Sequence, residues 1–152
     1  MTVSRLPDPS ELAAGCIFYV ADSELTLPGG ERPPHDARRP VLIVSDQRQR
    51  HGTNALPSTT WPSVLAVPIS SSTTYRTRFD VKLSAGEGGL AKKGWARIPA
   101  LQMIDKDHLE DMLGCVSEPI LDLVTARILD YLGILEEEVP EEPDEWADDA
   151  PF

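Results

Sequence analysis

Cysteine is scarce in this chain, and the apolar runs that mark membrane segments are missing. Its 152 residues include two cysteines, Cys16 and Cys115, which lie on separate apolar segments without a C-x-x-C spacing. We therefore expect two buried thiols rather than a disulfide or a metal site. No apolar run approaches the roughly 18 residues of a membrane span, and residues 1–12 contain no apolar core of signal-peptide length. These absences predict a cytoplasmic protein without a membrane partner.

Signatures of three enzyme classes are missing as well. The sequence contains no glycine-rich phosphate loop, no His-x-x-x-His pair and no G-x-S-x-G nucleophile elbow. It therefore gives no reason to expect a nucleotide hydrolase, a metalloenzyme or a serine hydrolase. The fourteen prolines argue against a mostly helical fold and favour strands, turns and extended segments.

Charge is divided unevenly along the chain. The net charge is −11, yet residues 32–97 carry eleven Lys or Arg against four acids, a net of +7. Residues 136–152 carry nine acids and no base. A basic central segment is typical of a protein that binds a polyanion, and a block of acids is typical of a solvated, disordered tail. We expect one domain over residues 1–135 and a disordered acidic tail, which either keeps the protein soluble or competes with the polyanion.

Apolar runs separated by turn residues predict five strands followed by helices. A long loop without periodicity spans residues 22–39, as in lids and binding loops. Asp105 is positioned to cap a short helix that ends at Leu113. Ser117 is positioned to cap a longer helix that Gly133 ends. The strands are expected at residues 15–21, 40–46, 63–69, 79–83 and 94–98.

A segment rich in hydroxyl groups and arginine, PISSSTTYRTR at residues 68–78, overlaps the end of the third strand. Hydroxyl runs at strand ends usually form turns, in which Ser and Thr bond to nearby backbone. The alternative is a rim that contacts phosphate, because hydroxyl and guanidinium groups both donate hydrogen bonds to phosphate oxygens. Arg76 and Arg78 fit a solvated face or phosphate contacts. Tyr75 is the best-placed aromatic ring to stack on an unpaired base.

Four segments in a fixed order carry a resemblance to a known family. They are GCIFYVA at 15–21, RRPVLIVS at 38–45, VLAVPISS at 64–71 and GWARIPALQMIDK at 94–106. In order and spacing they resemble the MazF/PemK (Kid) toxins of type II toxin–antitoxin systems, from about Gly15 to Leu132. The resemblance implies an α+β, mainly β fold, in which a small, SH3-like, strongly twisted barrel sheet carries C-terminal helices.

The resemblance also implies an activity. Most members of this family are endoribonucleases, or mRNA interferases, that inhibit growth by cutting single-stranded RNA at short sequences. They need no metal or other cofactor, act as homodimers and are blocked by a cognate antitoxin protein. Cleavage without a metal proceeds when the RNA 2′-hydroxyl attacks the adjacent phosphorus, which leaves a 2′,3′-cyclic phosphate and a 5′-hydroxyl.

Site residues are carried over from the family position by position. Arg39 corresponds to the arginine of the family's R-P pair, Ser70 to the hydroxyl residue that ends its V-P-[IV]-[TS] strand, and Arg97 to the arginine of its G-x-x-R strand. The two arginines would stabilise the charged phosphorane, and Ser70 would hold a phosphate oxygen or the attacking 2′-hydroxyl. His35 is the candidate general acid or base. Further RNA contacts are expected at Ser71, Tyr75, Arg76 and Arg78.

The proposed catalytic residues also have structural interpretations. Arg39 is close enough in sequence to Asp36 and Asp46 to form an ion pair with either of them. His35 is equally consistent with an ordinary surface histidine in a polar loop. Arg97 lies on a strand that is expected to be buried, so its charge requires a partner whatever its function.

Two departures from the family pattern leave other functions open. The position two residues after Arg97 is commonly an acid in the family and is Pro99 here, which removes a possible proton-transfer group. The early strand opens with Gly15-Cys16 rather than Gly-Asp or Gly-Glu. A catalytically inactive RNA- or protein-binding module is therefore one alternative, and an inhibitor of DNA gyrase resembling CcdB is another.

Overall fold

The computed structural model describes residues 12–28, 37–45 and 61–134. Seven strands and one α-helix form within these ranges, together with four short 3-10 turns. The helix, α1, spans Glu118–Tyr131. The strands are β1 Cys16–Ala21, β2 Arg38–Ile43, β3 Ser63–Ser70, β4 Val81–Leu83, β5 Gly94–Ala96, β6 Gln102–Asp105 and β7 Met112–Cys115.

The strands form one antiparallel sheet in the order β4-β5-β3-β2-β1-β7, and β6 also pairs with β3. The eight-residue β3 connects the parts of this sheet. Its first half pairs with β6, from Ser63↔Asp105 to Ala66↔Gln102, and its last two residues pair with β5. Because β2 pairs along the other edge of β3, the sheet curls around this strand into a partly closed barrel. The mainly β fold expected from the sequence is confirmed.

Side chains alternate between two apolar clusters along the central strands. Phe18 and Val41 lie in one cluster, whereas their neighbours Ile17 and Leu42 lie in the other. The helix α1 covers the second cluster through the buried Val124. Burial on both faces explains why these strands read as continuous apolar runs. It also makes the ends of β2 and β3, where polar residues begin, rigid supports for a site.

The short helix predicted after Asp105 is wrong. Lys106–His108 forms a single 3-10 turn, and the chain then enters β7 beside β1. The pairing starts with hydrogen bonds from Tyr19 N to Asp111 O (3.2 Å) and from Glu110 N to Tyr19 O (2.8 Å). Without β7, the outer edge of β1 would expose unpaired backbone groups, so this nonlocal pairing overrides the local helical pattern.

The longer helix begins and ends where the sequence predicts. Ser117 occupies the N-cap position, and Gly133 follows the helix with a φ of +74°, a conformation that glycine adopts without strain. The hydroxyl of Ser117 does not cap the helix, however. Its Oγ and its backbone N–H both donate to Glu87 Oε1 at 2.9 Å, which ties the start of α1 to the turn before β5.

One expectation about the cysteines is also corrected. Cys16 is buried, but Cys115 on β7 is exposed, and neither forms a disulfide. Within the described ranges, no three His, Cys, Asp or Glu side chains converge as metal ligands would, and no helix is long and apolar enough to cross a membrane. His35 and the acidic tail at 136–152 lie outside the described residues, so the domain boundary at 135 stays a prediction.

Candidate functional site

Arg39 is held at the end of the β1–β2 pair by an ion pair with Asp22. The strand register sets Val20 opposite Arg39, and Asp22 begins the 3-10 turn directly after β1. Nε of Arg39 donates to Asp22 Oδ1 at 2.8 Å, and Nη1 donates to Ile69 O at 3.4 Å. Among the described residues Nη2 has no acceptor, and the Arg39 side chain is 27% exposed. One side of the guanidinium group therefore faces solvent.

Two clefts, which we name the tyrosine cleft and the lysine cleft, meet at Arg39. Arg39 lines both of them, whereas Ser70, the last residue of β3, and Ser71, which follows it, line one each. The tyrosine cleft has a volume of about 630 Å³, and its lining includes Ser70, Thr74, Tyr75 and Arg97. The lysine cleft has a volume of about 480 Å³, and its lining includes Tyr19, Arg38, Ser71, Lys92 and Lys93.

Arg97 is buried beneath the loop that follows β3, and its partner is Asp80. Nη1 of Arg97 donates to Asp80 Oδ2 at 2.8 Å. Nη2 donates to the backbone oxygens of Ser72 and Thr74, the latter at 3.1 Å. The buried Asp80 also accepts hydrogen bonds from the backbone N–H and the hydroxyl of Thr77, at 2.9 and 3.1 Å. Arg97 and Asp80 therefore hold the loop in place, Arg97 through the two backbone oxygens and Asp80 through Thr77.

Tyr75 lies in this loop with an unusual backbone conformation. Its φ is +63°, the one positive value among the non-glycine residues that the structure describes. Bulky residues rarely adopt the left-handed region, and such strain concentrates at ligand sites. Arg97 donates to the backbone oxygens of Ser72 and Thr74, just before Tyr75 in the chain, and these bonds hold the loop in this shape. They leave Tyr75 60% exposed at the tyrosine cleft.

The hydroxyl run forms a turn, as one of the two sequence interpretations predicts. Ser70 Oγ accepts a hydrogen bond from Ser72 N at 3.2 Å, and Ser72 Oγ accepts one from Thr74 N at 3.1 Å. Serine commonly makes such bonds to the backbone two residues further on. Because Ser70 accepts in this bond, its hydroxyl hydrogen can still be donated to a ligand in the tyrosine cleft.

The remaining predicted contacts are divided between the clefts and the outer surface. Ser71 lines the lysine cleft, whereas Arg76 and Arg78 line neither cleft. Nη1 of Arg78 donates to Asp130 Oδ2 on α1 at 3.0 Å, and its guanidinium carbon lies 4.0 Å from the centre of the Phe79 ring. Both contacts direct the exposed Arg78 side chain toward the helix.

The clefts also contain charged residues to which the sequence assigned no role. Arg38 bonds to Asp111 Oδ2 at 2.9 Å and lies 4.3 Å from the centre of the Tyr19 ring. The hydrogen bond with Asp111 raises the pKa of Arg38 above its ordinary value, and Arg38 lines the lysine cleft. The only sequence signal for these cations was the positive charge of residues 32–97. These cations are Arg38, Lys92 and Lys93, and the anionic Asp22 lines the same cleft.

Comparison of the sequence with protein families identifies the group to which the chain belongs. Residues 17–132 match the family described as the PemK-like, MazF-like toxin of type II toxin-antitoxin system. The chain belongs to this toxin family. The resemblance noted from the sequence segments is therefore confirmed. A search of curated protein sequences gave no match.

Solved structures of MazF toxins share the fold of this PemK/MazF-like toxin. The MazE–MazF crystal structure (Form-II) from Deinococcus radiodurans has a TM-score of 0.57 and 18% identity, over 86% of this chain and 99% of that chain. A mycobacterial endoribonuclease in complex with its cognate antitoxin has a TM-score of 0.56 and 18% identity, over 82% and 96%. The Mycobacterium tuberculosis toxin MazF-mt6 has a TM-score of 0.54 and 18% identity, over 78% and 97%. At this identity the likeness establishes the fold alone.

This toxin departs from the common family pattern in the carboxylates at its clefts. Pro99 lines the tyrosine cleft, at the position where an acid is common. Among the described residues, the carboxylates that line the two clefts are Asp22 and Asp80, and each is bonded to an arginine. Asp22 occupies the ion-pair role that the sequence suggested for Asp36 or Asp46, both of which lie outside the described ranges.

Proposed function

We propose that this toxin is a cytoplasmic, sequence-selective endoribonuclease that cuts single-stranded RNA without a metal ion. The RNA 2′-hydroxyl attacks the adjacent phosphorus and leaves a 2′,3′-cyclic phosphate and a 5′-hydroxyl. Family membership and the likeness to a mycobacterial endoribonuclease support the proposal. The observation that carries it is the position of Arg39, which is oriented by Asp22 and partly exposed where two clefts meet.

Arg39 binds the scissile phosphate in this proposal. Its Nε is bonded to Asp22, so the guanidinium group is oriented before RNA binds, and Nη2 is directed away from described acceptors. Attack by the 2′-oxygen increases the negative charge on the non-bridging oxygens, and the planar guanidinium group can donate to two of them. A preorganised donor of this kind typically lowers the barrier by about 2.7–4 kcal/mol.

Ser70 supplies a second donor on the tyrosine-cleft side of Arg39. Its Oγ is fixed by a backbone N–H of the turn, and its hydrogen is donated to a non-bridging oxygen or to the 2′-oxygen. On the other side, Ser71 lies in the lysine cleft with Lys92 and Lys93. These cations bind the next phosphates of the RNA chain, which gives the strand a path across Arg39.

Arg97 acts as a positioning residue in this proposal rather than as a phosphate ligand. Its bonds to Asp80 and to the loop oxygens hold Tyr75 in the left-handed conformation. The exposed Tyr75 ring stacks on an unpaired base in the tyrosine cleft, a contact that is available only to single-stranded RNA. Arg76 and Arg78, on the outer side of the same loop, contact the phosphates of a longer RNA.

Proton transfer is assigned to His35, because the carboxylates at the clefts are engaged with arginines and the acid common in the family is replaced by Pro99. A histidine can exchange protons near neutral pH. His35 precedes Arg39 by four residues in the chain.

Incubation of the purified protein with a long single-stranded RNA in EDTA, followed by analysis of the new ends, tests the proposal. The expected result is cleavage that EDTA does not abolish, with cyclic phosphates on one side of each cut and 5′-hydroxyls on the other. The Arg39→Ala protein serves as the control for a contaminating nuclease. Loss of all cleavage in EDTA, or 5′-phosphate ends, would contradict the proposed chemistry.

A non-catalytic RNA-binding relative is the second candidate, and Pro99 is the observation that favours it. The same incubation separates the two, because a binding module retains the RNA without cutting it.

We further propose that the toxin binds a cognate antitoxin, which the solved structures of toxins with their antitoxins support. We also propose that it is a homodimer, as the resemblance to the family implies. Sedimentation at micromolar concentration is expected to give about twice the chain mass of 16.7 kDa.

A further inference from the structure

The two cysteines of the chain are direct partners across the sheet. The β1–β7 register sets Cys16 opposite Cys115, although they lie 99 residues apart in sequence. Their Sγ atoms are 2.8 Å apart, within hydrogen-bond distance, and neither cysteine forms a disulfide. The only two cysteines of the sequence therefore face each other directly on neighbouring strands.

The backbone around this pair brings the two side chains especially close. Val116 N donates to Gly15 O at 2.9 Å, while Cys16 N donates to Ala13 O rather than to its partner strand. Hydrogen-bonded and non-hydrogen-bonded pairs alternate in an antiparallel ladder, so Cys16 and Cys115 form a non-hydrogen-bonded pair. Facing side chains approach most closely at such positions, which matches the Cβ separation that a disulfide requires.

The two thiols differ in their access to solvent. Cys115 is exposed at the end of the sheet, whereas Cys16 is buried in the apolar cluster that contains Phe18. An oxidant from solvent can therefore reach Cys115 first, and Cys16 lies next to the sulfur that has reacted. This arrangement of an accessible thiol beside a second, resolving thiol is the one found in reversible thiol oxidation.

We propose that Cys16 and Cys115 form a redox modification site that closes to an intrachain disulfide when the toxin meets a peroxide. The Cys115 thiolate attacks one oxygen of the peroxide and breaks the O–O bond. The cysteine becomes a sulfenic acid, and the hydroxide that leaves is protonated to water. The Cys16 thiol then attacks the Cys115 sulfur, and the sulfenic hydroxyl leaves as the second water. Two thiols and one hydrogen peroxide thus give one disulfide and two waters. A dithiol then reduces the disulfide to the two thiols by exchange and is itself oxidised to a disulfide.

The disulfide would strengthen the pairing of the edge strand β7 with β1. β7 is four residues long and has no buried residue, and its register with β1 shifts between Ile17 and Phe18. A covalent bond at one end of this irregular ladder holds β7 in place and closes a long loop, which restricts the unfolded chain. The oxidised protein is therefore expected to melt at a higher temperature than the reduced protein, by roughly 5 °C or more.

Oxidation of the purified full-length toxin by one equivalent of hydrogen peroxide tests this site. After the reaction, free thiols are alkylated in denaturant, and the peptides are mapped without reduction. We expect a cross-linked pair of peptides that contain Cys16 and Cys115, no alkylation at either position, and recovery of both thiols with dithiothreitol. Diamide, which oxidises thiols without forming a sulfenic acid, is expected to give the same cross-link.

The Cys115→Ser protein is the matched control, since the exposed position tolerates a polar side chain. Its Cys16 is expected to remain reduced, and its melting temperature is expected to be the same with and without peroxide. Three outcomes would overturn the proposal: Cys115 oxidised to a sulfinic acid while Cys16 is still alkylated, cross-links between two chains in place of the intrachain bond, or both thiols alkylated after both oxidants.

Discussion

Arg39 and Arg97 each donate a hydrogen bond to an aspartate oxygen at 2.8 Å, but the two ion pairs lie in different surroundings. The side chains of Arg39 and Asp22 are 27% and 12% exposed, whereas those of Arg97 and Asp80 are 10% and 0% exposed. Nη2 of Arg39 has no acceptor among the described residues, and Arg39 lines both clefts. The second donor group of Arg97 bonds to backbone oxygens of the loop. The direction of the remaining donors, rather than the ion pair itself, therefore distinguishes a candidate ligand-binding arginine from a structural one.

The largest expected effect comes from breaking the structural pair. Arg97→Ala leaves the charge of Asp80 buried without its partner, and we expect the free energy of unfolding to fall by about 3–5 kcal/mol. Urea denaturation measures this change. Arg78→Ala is the matched control, because its pair with Asp130 lies at the surface and contributes less than about 1 kcal/mol. Equal losses in the two variants would mean that the Arg97–Asp80 pair does not support the fold.

A smaller effect is expected at the loop that Arg97 supports. Tyr75→Gly removes the ring and also relieves the strain of the positive φ. We expect single-stranded RNA to bind more weakly by about 1–3 kcal/mol, as for the loss of one stacked base, while the free energy of unfolding rises. Tyr75→Phe keeps the ring and is expected to bind as the wild type does. Fluorescence anisotropy with a labelled oligonucleotide gives both affinities, and unchanged binding by Tyr75→Gly would exclude stacking at this position.

The smallest of these effects concerns the orientation of Arg39. Asp22→Asn keeps the shape of the side chain and removes its charge, so the hold on Arg39 Nε weakens. We expect kcat to fall about tenfold with little change in KM, because the arginine is less well oriented in the transition state. Asp130→Asn weakens the surface pair with Arg78 and is expected to leave kcat unchanged. A rise in KM with an unchanged kcat would indicate that Asp22 supports RNA binding rather than the chemical step.

The strands that the sequence revealed are those with strong burial on both faces. β1, β2 and β3 are nearly continuous apolar runs, and the ends of each lie within three residues of the predicted ones. The sequence did not predict β6 and β7, because one of the four residues of β6 and none of the four residues of β7 are buried. These strands exist because β3 and β1 offer unpaired edges to them, and a local pattern contains no information about such partners.

The features of the site also fall into two groups. Some follow from neighbouring residues in the sequence, and others depend on contacts between residues that are distant in the sequence. The sequence predicted that Arg97 needs a partner and that the hydroxyl run could form a turn, since both follow from neighbouring residues. It did not predict Asp22 as the partner of Arg39, because the two residues are 17 positions apart and meet only through the β1–β2 register. The strain at Tyr75 was equally hidden, because it arises from the bonds that Arg97 makes to the loop.

The rate at which folded Arg39→Ala toxin cuts RNA under single-turnover conditions tests the central claim most directly. Arg39→Ala leaves the buried Asp22 without this partner, so the urea midpoint is expected to fall, and the rate is measured under conditions where the variant is folded. Its cleavage rate is expected to be about 10²–10³-fold lower than that of the wild type, as for the loss of one preorganised donor to the transition state. Cleavage at the wild-type rate by the folded variant would contradict the assignment of Arg39 to the scissile phosphate.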